Sequence, residues 1–373
     1  MTPAADSELW CGKRIAPGER ASVSLSVSES YMGATTRIPV HVWRAPEPGP
    51  KVLVTAAVHG DEINGTGAIR SLLVDPPFEL ERGTLVLAPV VNVLGFVRHE
   101  RYLPDRRDLN RCFPGNRRGS TASRLARIVF DRLVRRCDYG IDLHTAAVRR
   151  TNYPNVRADL DDVEARRIAR VFGAEVVIDA EGPEGSLRRT ATEAGCSTIV
   201  VEAGEVWKVE PSVVEFVLNG IRNVLIEVGA ISGVPVRGPF RCVARSTKWI
   251  RAQSGGFLEF HVSPGDLLEV GAPIATSTTL LGERPELLVA PVGGLVIGQT
   301  TSPSVSPGDP VVHLALPDPD ALPRIERAIE GLAVDSLAGR LRSDLASNLL
   351  MTEPRLDEDG LIETPPEDED SPL

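Results

Sequence analysis

Two histidines and a glutamate stand where apolar segments of the sequence end. His59 and Glu62 follow the apolar segment 52–58 within a His-Gly-Asp-Glu motif, and His144 follows the apolar segment 139–143. Zn²⁺ accepts imidazole nitrogen and carboxylate oxygen together, and three protein ligands with one open position are typical of a catalytic zinc site. Because the carboxyl ends of parallel strands share one edge of a sheet, His59, Glu62 and His144 are predicted to form such a site. The alternative, for each motif alone, is a histidine at a solvent-exposed strand end.

Two further acidic residues lie near the ends of apolar segments. Asp142 lies two residues before His144, so on a strand the two side chains share a face and Asp142 is a candidate to orient a ligand imidazole. Glu202 closes a further apolar segment, where a carboxylate beside a metal site can act as a general base. A third motif, RYLPDRRDLNRCFPG, occupies residues 101–115.

The elements that must position these residues alternate along the chain. Short apolar segments predict strands at 52–58, 84–91, 139–143, 175–178 and 198–201, and apolar spacings of about three or four predict helices at 65–73, 123–136, 160–172 and 212–227. This alternation predicts an α/β catalytic domain over residues 1–232, with a mixed, mostly parallel sheet flanked by helices.

The remainder of the chain changes in character. Residues 233–316 combine short strand patterns with Gly/Pro turns and repeat a Gly-Gly then Pro-Gly-Asp pattern. They predict a C-terminal all-β domain of barrel-sandwich type, with a structural or lid-forming role. Residues 317–352 predict a helical extension, and residues 353–373, with nine acids and one arginine, predict a disordered acidic tail.

Composition excludes several classes of function. The chain of 373 residues has 51 acidic and 41 basic side chains, a net charge of −10 that disfavours nucleic acid as a partner. No apolar run approaches the roughly 18 residues of a membrane span, and no signal peptide pattern is visible. Five scattered cysteines form no disulfide framework, so a cytoplasmic location without a membrane partner is expected. The composition is compatible with a homo-oligomer.

The negative charge is concentrated in the tail. Nine acids less one arginine give residues 353–373 eight of the ten net negative charges. Residues 98–136, by contrast, carry twelve arginines against four acids. Such a basic region attracts carboxylates, so an anionic small-molecule substrate is expected.

The motifs in combination resemble a known family. HGDE (59–62), RY…DLNRCFPG (101–115), DLHT (142–145) and VEAG (201–204), in this order and followed by a β-rich region, are similar to the succinylglutamate desuccinylase/aspartoacylase family, relatives of the zinc carboxypeptidases. The resemblance implies a zinc-carboxypeptidase-like fold and one Zn²⁺ per chain, with His59, Glu62 and His144 as ligands.

The resemblance also implies roles for other residues. Glu202 would be the general base that takes a proton from the attacking water, and Arg101 would polarise the scissile carbonyl and stabilise its oxyanion. Asn110 and Arg111 would hold the carboxylate of the substrate, because a guanidinium matches a carboxylate in a bidentate manner. The implied activity is zinc-dependent amidohydrolysis that removes an acyl group from an N-acyl amino acid or a similar small carboxylate.

The sequence also departs from the family pattern. Arg101 is chosen over Arg98 and Arg106 because Tyr102 follows it. The aspartoacylase branch uses a tyrosine from the C-terminal domain, but all four tyrosines here precede residue 154, so another residue must replace that contact.

Four further residues have open or minor interpretations. Arg188 and Arg189 are both candidates for the arginine that binds an acidic substrate side chain in that branch. Trp249 is expected at the mouth of the cleft or in the core, and His313 at the surface or in a turn.

Two alternatives remain open. A metallocarboxypeptidase acting on a peptide terminus would need an open groove, whereas a C-terminal domain covering the cleft favours small acyl amino acids. A catalytically inactive metal-binding scaffold would lack a ligand or the base, and the sequence retains all of them.

Overall fold

The structure, a computed structural model, describes residues 7–29, 33, 35–347 and 349–354. The strands are β1 (Glu8–Trp10), β2 (Lys13–Ile15), β3 (Arg20–Glu29), β4 (Thr35–Arg44), β5 (Glu47–Ala56), β6 (Arg82–Ala88), β7 (Tyr139–His144), β8 (Arg150–Ala158), β9 (Val176–Asp179), β10 (Ser197–Gly204), β11 (Cys242–Arg251), β12 (Gly256–Phe260), β13 (Leu267–Leu268), β14 (Pro273–Thr278), β15 (Glu286–Val289), β16 (Gly294–Thr300), β17 (Ser304–Val305) and β18 (Pro310–Pro317). The α-helices are α1 (Asn64–Val74), α2 (Val93–Phe96), α3 (Thr121–Arg132), α4 (Val163–Val171), α5 (Leu187–Glu193), α6 (Pro211–Glu227), α7 (Leu322–Glu330) and α8 (Leu337–Ala346).

A 12-stranded sheet forms the centre of the molecule, in the order β13-β16-β18-β11-β9-β8-β10-β7-β5-β6-β4-β3. Its parallel neighbours are β5 with β6 and β7, β7 with β10, and β9 with β8 and β11. The other pairs described in this sheet are antiparallel. The mixed α/β class is therefore confirmed, but a mostly parallel sheet is not.

The direction of β8 has a simple cause. Only residues 145–149 separate β7 from β8, and a parallel crossover needs a dozen or more residues. The chain therefore turns back at once, and β8 runs antiparallel to β10.

Helices cover both faces of this sheet, as predicted. The core on one face contains buried residues of α1, α4, α6 and α8, including Ile69, Ile168 and Leu341. The core on the other face contains residues of α3 and α5, including Val129 and Leu187. Every helix and strand predicted before residue 232 is present, whereas β3, β8 and α5 were not predicted.

The C-terminal β region is present, and its strands join the central sheet. β11 pairs in parallel with β9 through Cys242–Ala244, and β16 pairs with β8 through Gly298–Thr300. A second sheet, in the order β15-β14-β12-β17, shares a core with these strands, which contains Ile250, Phe260 and Val312. The region is therefore a two-sheet β structure built onto the edge of the α/β sheet, and the division at residue 233 remains a prediction.

The end of the described chain is helical. α7 and α8 lie within the predicted extension 317–352. Residues 355–373, most of the predicted acidic tail, lie outside the described residues. Within the described ranges, no helix combines the length and apolar character that crossing a membrane requires.

Candidate active site

Two neighbouring strand ends bring the metal-ligand candidates together. β5 and β7 are parallel and in register up to Ala56 and Leu143, so His59, three residues past Ala56, emerges at the same edge as His144. The turn after β5 requires glycine at position 60. A Cβ there would lie 2.2 Å from the carbonyl carbon of Gly95, a distance that only the absence of a side chain permits.

His59, Glu62 and His144 form a compact, buried group. Their potential ligand atoms all lie within 4.8 Å of one another. His59 Nδ1 is 2.7 Å from Glu62 Oε1, and His144 Nδ1 is 2.8 Å from Glu62 Oε2. Among the described residues, His59 Nδ1 has no hydrogen-bond partner, although it lies close to Glu62 Oε1. A buried, unused ring nitrogen beside a carboxylate fits a position that coordinates a metal ion.

Outer carboxylates hold both imidazoles in this orientation. Asp108 Oδ1 lies 3.1 Å from His59 Nε2, and Asp142 Oδ2 lies 2.8 Å from His144 Nε2. Thr55 donates a hydrogen bond of 2.7 Å to the other Asp142 oxygen. A carboxylate on Nε2 leaves Nδ1 of the same ring to face the centre of the group, and this arrangement is typical of histidines that bind a metal ion. The structure thus places Asp142 where it can orient the imidazole of His144.

The charges of these groups are strongly coupled. Burial raises the pKa of Glu62, but His59 and His144 outweigh it and hold the pKa well below its usual value. Burial lowers the pKa of His144, but Asp142 and Glu62 outweigh it and hold the pKa well above the usual range. Burial also opposes ionisation of Asp108, yet its contact with His59 lowers the pKa to about 2. Glu62 and Asp108 are therefore ionised, and an ionised Glu62 is what a carboxylate ligand of a cation must be.

Arg101 reaches the same group. Its NH1 donates a hydrogen bond of 2.7 Å to Glu62 Oε1, and its NH2 lies 3.8 Å from Asp108 Oδ2. The two other arginines considered lie elsewhere, since Arg98 is exposed and pairs with Glu100 and Arg106 is exposed. The structure thus brings Arg101, and neither of its neighbours, to the metal-ligand candidates.

Glu202 lies beside His144 on the adjacent strand. β10 runs parallel to β7 with Glu202 paired to His144. Glu202 Oε2 accepts a hydrogen bond of 3.0 Å from Asn152 Nδ2, and Glu202 Oε1 lies 4.0 Å from Arg157 Nε. The carboxylate therefore faces the same cavity as the metal-ligand candidates.

Asn110 and Arg111 lie in a short 3-10 turn at the cavity wall. Asn110 Oδ1 accepts a hydrogen bond of 2.8 Å from the backbone of Leu187, so it joins this turn to the start of α5. Arg111 NH1 donates to the Asn110 carbonyl, and the side chain of Arg111 is exposed.

All of the predicted site residues line one cavity of about 260 Å³. Its lining includes His59, Glu62, Arg101, Asn110, Arg111, His144, Arg150, Asn152, Arg157, Arg188, Glu202, Trp249 and His313. Five of these side chains are arginines, and two are carboxylates. The site is therefore a small, cation-rich cavity with a His-Glu-His group in its wall.

Comparison with known proteins agrees with this geometry. The sequence profile of the succinylglutamate desuccinylase/aspartoacylase catalytic domain matches residues 48–228. The N-alpha-acetyl-L-2,4-diaminobutyric acid deacetylase of Halomonas elongata is 30% identical over 309 residues, which cover 78% of this chain and 89% of that protein. The chain belongs to the succinylglutamate desuccinylase/aspartoacylase family. Solved structures carry the same fold.

Two of those structures show how much of this chain shares the fold. The succinylglutamate desuccinylase/aspartoacylase from Rhodobacter sphaeroides is 25% identical with a TM-score of 0.70, covering 80% of this chain and 96% of that one. The ectoine utilization protein EutE (DoeB) from Ruegeria pomeroyi, in a product-bound structure, is 24% identical with a TM-score of 0.71, covering 80% and 95%. The fold match thus extends beyond the catalytic-domain profile.

In this family member the two arginines before the catalytic-glutamate candidate have different surroundings. Arg188 is 5% exposed, lines the cavity, and its NH1 has no hydrogen-bond partner among the described residues. Burial, and then the nearby Arg157, lower its pKa to about 10. Arg189 points away and pairs with Glu181 and Glu193. Of the two candidates, the structure places only Arg188 in the site.

Part of the cavity wall comes from the C-terminal region, and no motif in the sequence indicates it. His313 was expected at the surface or in a turn, but it is 6% exposed, lies within β18 and lines the cavity. Trp249 of β11 lines the cavity too, in agreement with one of its two expected positions. Asn152, Arg150 and Arg157 were not predicted, because β8 was not recognised as a strand.

Proposed function

We propose that this protein is a zinc-dependent amidohydrolase that removes the acyl group from an N-acyl amino acid or a similar small carboxylate. The observation that carries the proposal is the convergence of His59, Glu62 and His144 on one cavity that also contains Glu202. The family membership supports hydrolysis, and one relative is named as a deacetylase of an N-acetylated amino acid.

His59, Glu62 and His144 are proposed to hold one Zn²⁺. When bound, the ion supplies a Lewis acid for the scissile carbonyl and makes water acidic enough to act near neutral pH. The chain's own residues set the geometry around it. Asp108 and Asp142 fix the two imidazoles, and without those contacts the rings would be free to turn.

Glu202 is proposed as the general base. It takes a proton from the attacking water as the oxygen adds to the carbonyl carbon, and it returns the proton to the amine as the C–N bond breaks. The hydrogen bond from Asn152 holds the carboxylate toward the cavity while leaving its other oxygen available.

Arg101 is proposed to stabilise the negative charge that develops on the carbonyl oxygen. In the structure, the hydrogen bond from Arg101 to Glu62 holds the guanidinium beside the metal-ligand candidates. A fixed positive charge therefore lies next to them in the cavity. Preorganised charge of this kind stabilises an oxyanion without reorganisation during the reaction.

The carboxylate of the amino acid is proposed to bind at the opposite wall, to Asn110, Arg111 and Arg188. The NH1 atom of Arg188, which has no hydrogen-bond partner among the described residues, supports this assignment, because a buried guanidinium nitrogen without an acceptor favours a carboxylate. The proposal accounts for the excess of arginines over carboxylates in the cavity.

The cavity dimensions favour this function over a carboxypeptidase. About 260 Å³ lies below the roughly 300–1,000 Å³ typical of sites for drug-sized ligands, so a single acylated amino acid is the better match. Trp249 and His313 of the C-terminal region close one side, where a peptide would need an open groove.

The test combines metal content with turnover. Purified enzyme should contain about one zinc per chain and release amine from N-acyl amino acids, and Glu202→Gln should abolish turnover while retaining the metal, because the base is not a ligand. Asp138→Asn, at a carboxylate that accepts from the backbone of Lys51 and does not line the cavity, is the control with unchanged activity.

Two results would contradict the proposal. Full zinc occupancy in a His59→Ala/His144→Ala variant would refute the ligand assignment. Cleavage of peptides without any release of amine from N-acyl amino acids would favour the carboxypeptidase alternative.

A further inference from the structure

A second surface rich in positive charge lies outside the catalytic cavity. It is a cleft of about 920 Å³ bordered by α4, the segment 235–241 and α7, and its volume is more than three times that of the catalytic cavity. Six arginines line this arginine cleft: Arg166, Arg167, Arg170, Arg237, Arg241 and Arg324. None of its lining residues belongs to the lining of the catalytic cavity, so the proposed reaction does not use it.

The positive charge of the arginine cleft is only partly balanced. In the part of the chain that the structure describes, Glu227 is the one carboxylate in the lining, and it lies 3.5 Å from Arg167, which also pairs with Glu164 of α4. The two acids of α7, Glu326 and Glu330, do not line the cleft. The other five arginines form no ion pair with a described carboxylate. The cleft therefore carries a large excess of positive charge.

Backbone carbonyl groups hold several of these guanidinium groups in place. Arg166 NH1 donates a hydrogen bond of 3.1 Å to the carbonyl of Leu160. Arg241 NH1 donates one of 3.2 Å to the carbonyl of Arg170, and Arg324 NH2 donates one of 3.3 Å to the carbonyl of Arg241. A carbonyl oxygen does not neutralise the charge, and a guanidinium has five N–H donors, so donors remain for carboxylates. The cleft is thus arranged to receive several carboxylates at once.

The same sequence contains a segment of the opposite charge. Residues 355–373 include eight acids and one arginine, and four consecutive acids occupy positions 367–370. A guanidinium binds a carboxylate in a bidentate manner, and clusters of arginines recognise acidic peptide segments. Charge complementarity therefore favours this acidic segment as the occupant of the arginine cleft.

The described chain ends within reach of the cleft. Leu345 of α8 packs in one core with Ile325 of α7 and with Phe240, which lines the cleft. Thr352, whose amide donates to the carbonyl of Phe260, is seven residues beyond Leu345 and hence at most about 25 Å from it. The 13 residues from 354 to 367 span about 43 Å when extended, so the acidic run can reach the cleft.

A contact within one chain also compensates for the weakness of exposed ion pairs. A single exposed pair contributes little, but a tethered segment has an effective concentration of about millimolar, and several pairs form together. The catalytic cavity is the other cationic surface, and its volume of about 260 Å³ suits one small ligand rather than a run of acidic residues. The larger cleft is therefore the better match.

We propose that the arginine cleft is an intramolecular docking site for the acidic segment 355–373 of the same chain. The carboxylates at 367–370 pair with the arginines that lack an acidic partner, and docking neutralises both surfaces. This inference does not rest on the proposed function, because it uses no residue of the catalytic cavity.

Nuclear magnetic resonance of the full chain tests the docking. The amide signals of a segment that moves freely are narrow, whereas those of a docked segment are as broad as the signals of the folded protein. At low ionic strength, about 10 mM, the signals of residues 367–370 should be broad. At about 1 M salt, where the Debye length is about 3 Å, the same signals should become narrow because screening weakens the contact.

Variants on each side of the contact identify the partners. The cleft variant Arg170→Glu/Arg237→Glu reverses two exposed charges whose guanidinium groups have no described partner, and it should lose the broadening at low salt. The control variant Arg118→Glu/Arg124→Glu makes the same change in charge at exposed positions outside both cavities, and it should keep the broadening.

A segment variant separates release from misfolding, because it leaves all described residues unchanged. It replaces the four consecutive acids by their amides: Glu367→Gln, Asp368→Asn, Glu369→Gln and Asp370→Asn. The segment variant should show narrow signals at low salt with the melting temperature of the full chain nearly retained. Combining it with the cleft variant should add no further narrowing, because either change already removes the contact.

Four results would overturn the proposal. Narrow signals of residues 367–370 in wild type at low salt would show that the segment does not dock. Broad signals that the cleft variant leaves unchanged, or that the control variant removes equally, would place the segment on another surface. Narrowing in Arg188→Met would place it in the catalytic cavity. Broadening that disappears on dilution would mean that the segment binds a second copy of the chain.

Discussion

His313 lies in an environment that opposes its protonation. It is buried against Trp249, and Arg157 and Arg150 are the charged groups that face it. Burial and then these two guanidinium groups lower its pKa to about 3. The imidazole therefore stays neutral over the whole range in which an enzyme of this kind would work, and it adds no further positive charge to the cavity.

This neutral histidine should make the fold sensitive to acid. The pKa in the folded state is lower than the unfolded value of about 6.5, so below pH 6.5 the unfolded chain binds a proton that the folded chain does not. The contribution of the neutral His313 to the unfolding free energy is fully present above pH 6.5, and it is lost as the pH falls toward 3. Between pH 6.5 and 5 the unfolding free energy of wild type should fall by about 2 kcal/mol more than that of His313→Gln.

Urea unfolding of the zinc-free proteins at the two pH values measures this difference. His99→Gln, at an exposed position, is the control and should follow wild type. An equal loss of stability in wild type and His313→Gln would show that His313 titrates normally in the folded state.

At the level of single residues, the position of a polar residue relative to the end of a strand was the best predictor of the site. His59, Glu62, His144 and Glu202 each follow or end a recognisable apolar strand, and the structure brings all four to one cavity. Arg188 and Arg189 are neighbours in the sequence, so only the packing of α5 distinguishes them. The burial of His313 depends on Trp249 and Arg157, which are remote in sequence, and no local pattern indicates it.

The turn between β5 and α1 is the element on which the proposed metal site depends. It places His59 and Glu62 within three residues of each other while passing directly over the backbone of α2. At Gly60 a Cβ would lie 2.2 Å from the carbonyl carbon of Gly95 and 2.5 Å from the carbonyl oxygen of Glu100. Both contacts are to backbone, so neither neighbour can move aside alone.

Gly60→Ala should therefore displace this turn. We expect a loss of about 1–3 kcal/mol in unfolding free energy, typical of overpacking, together with reduced zinc occupancy because the two proposed ligands His59 and Glu62 move. Thermal unfolding and metal analysis measure the two effects. Gly255→Ala is the control, since its Cβ would meet only ordinary contacts from 3.4 Å outward. Wild-type zinc content and stability in Gly60→Ala would mean that the turn adjusts without cost.

Elements with a continuous apolar segment were predictable, whereas those with polar segments were not. β5, β6, β7 and β10 are buried and rich in aliphatic residues, which makes them visible in the sequence. β8 has the sequence RTNYPNVRA, whose polar residues are buried because the cavity and Glu202 use them. Strand direction also follows from connection length rather than from local composition, so the predominance of antiparallel pairs in the sheet was not anticipated.

On the scale of the whole molecule, a cationic cavity lies within an acidic chain. Lining arginines outnumber lining carboxylates, although the full sequence carries a net charge of −10. The local field at a cleft depends on its own charges and is screened beyond about 10 Å at moderate ionic strength. The overall charge is therefore a poor guide to the substrate, and the basic region around residues 98–136 is a better one.

The C-terminal β region also belongs structurally to the catalytic part of the chain. Cys242–Ala244 of β11 covers the edge of β9, and Leu341 of α8 packs in the same core as α1 and α6. Trp249 and His313 complete the cavity wall. These contacts are buried and apolar, so separating the two regions would expose both a strand edge and core side chains.

We therefore expect the full chain to unfold as one cooperative unit. Calorimetry should show a single transition in which the van't Hoff and calorimetric enthalpies agree, although a chain of this length would commonly divide into separately melting domains. A fragment ending at residue 232 should lack a cooperative transition and bind zinc more weakly than the full chain, because the uncovered edge of β9 and the exposed core leave β8 and β10 less firmly held. A chain ending at residue 354 is the matched control and should retain both properties, since it contains every contact named above. Two separate transitions, or a 1–232 fragment with native zinc affinity, would instead establish the division at residue 233 as a true domain boundary.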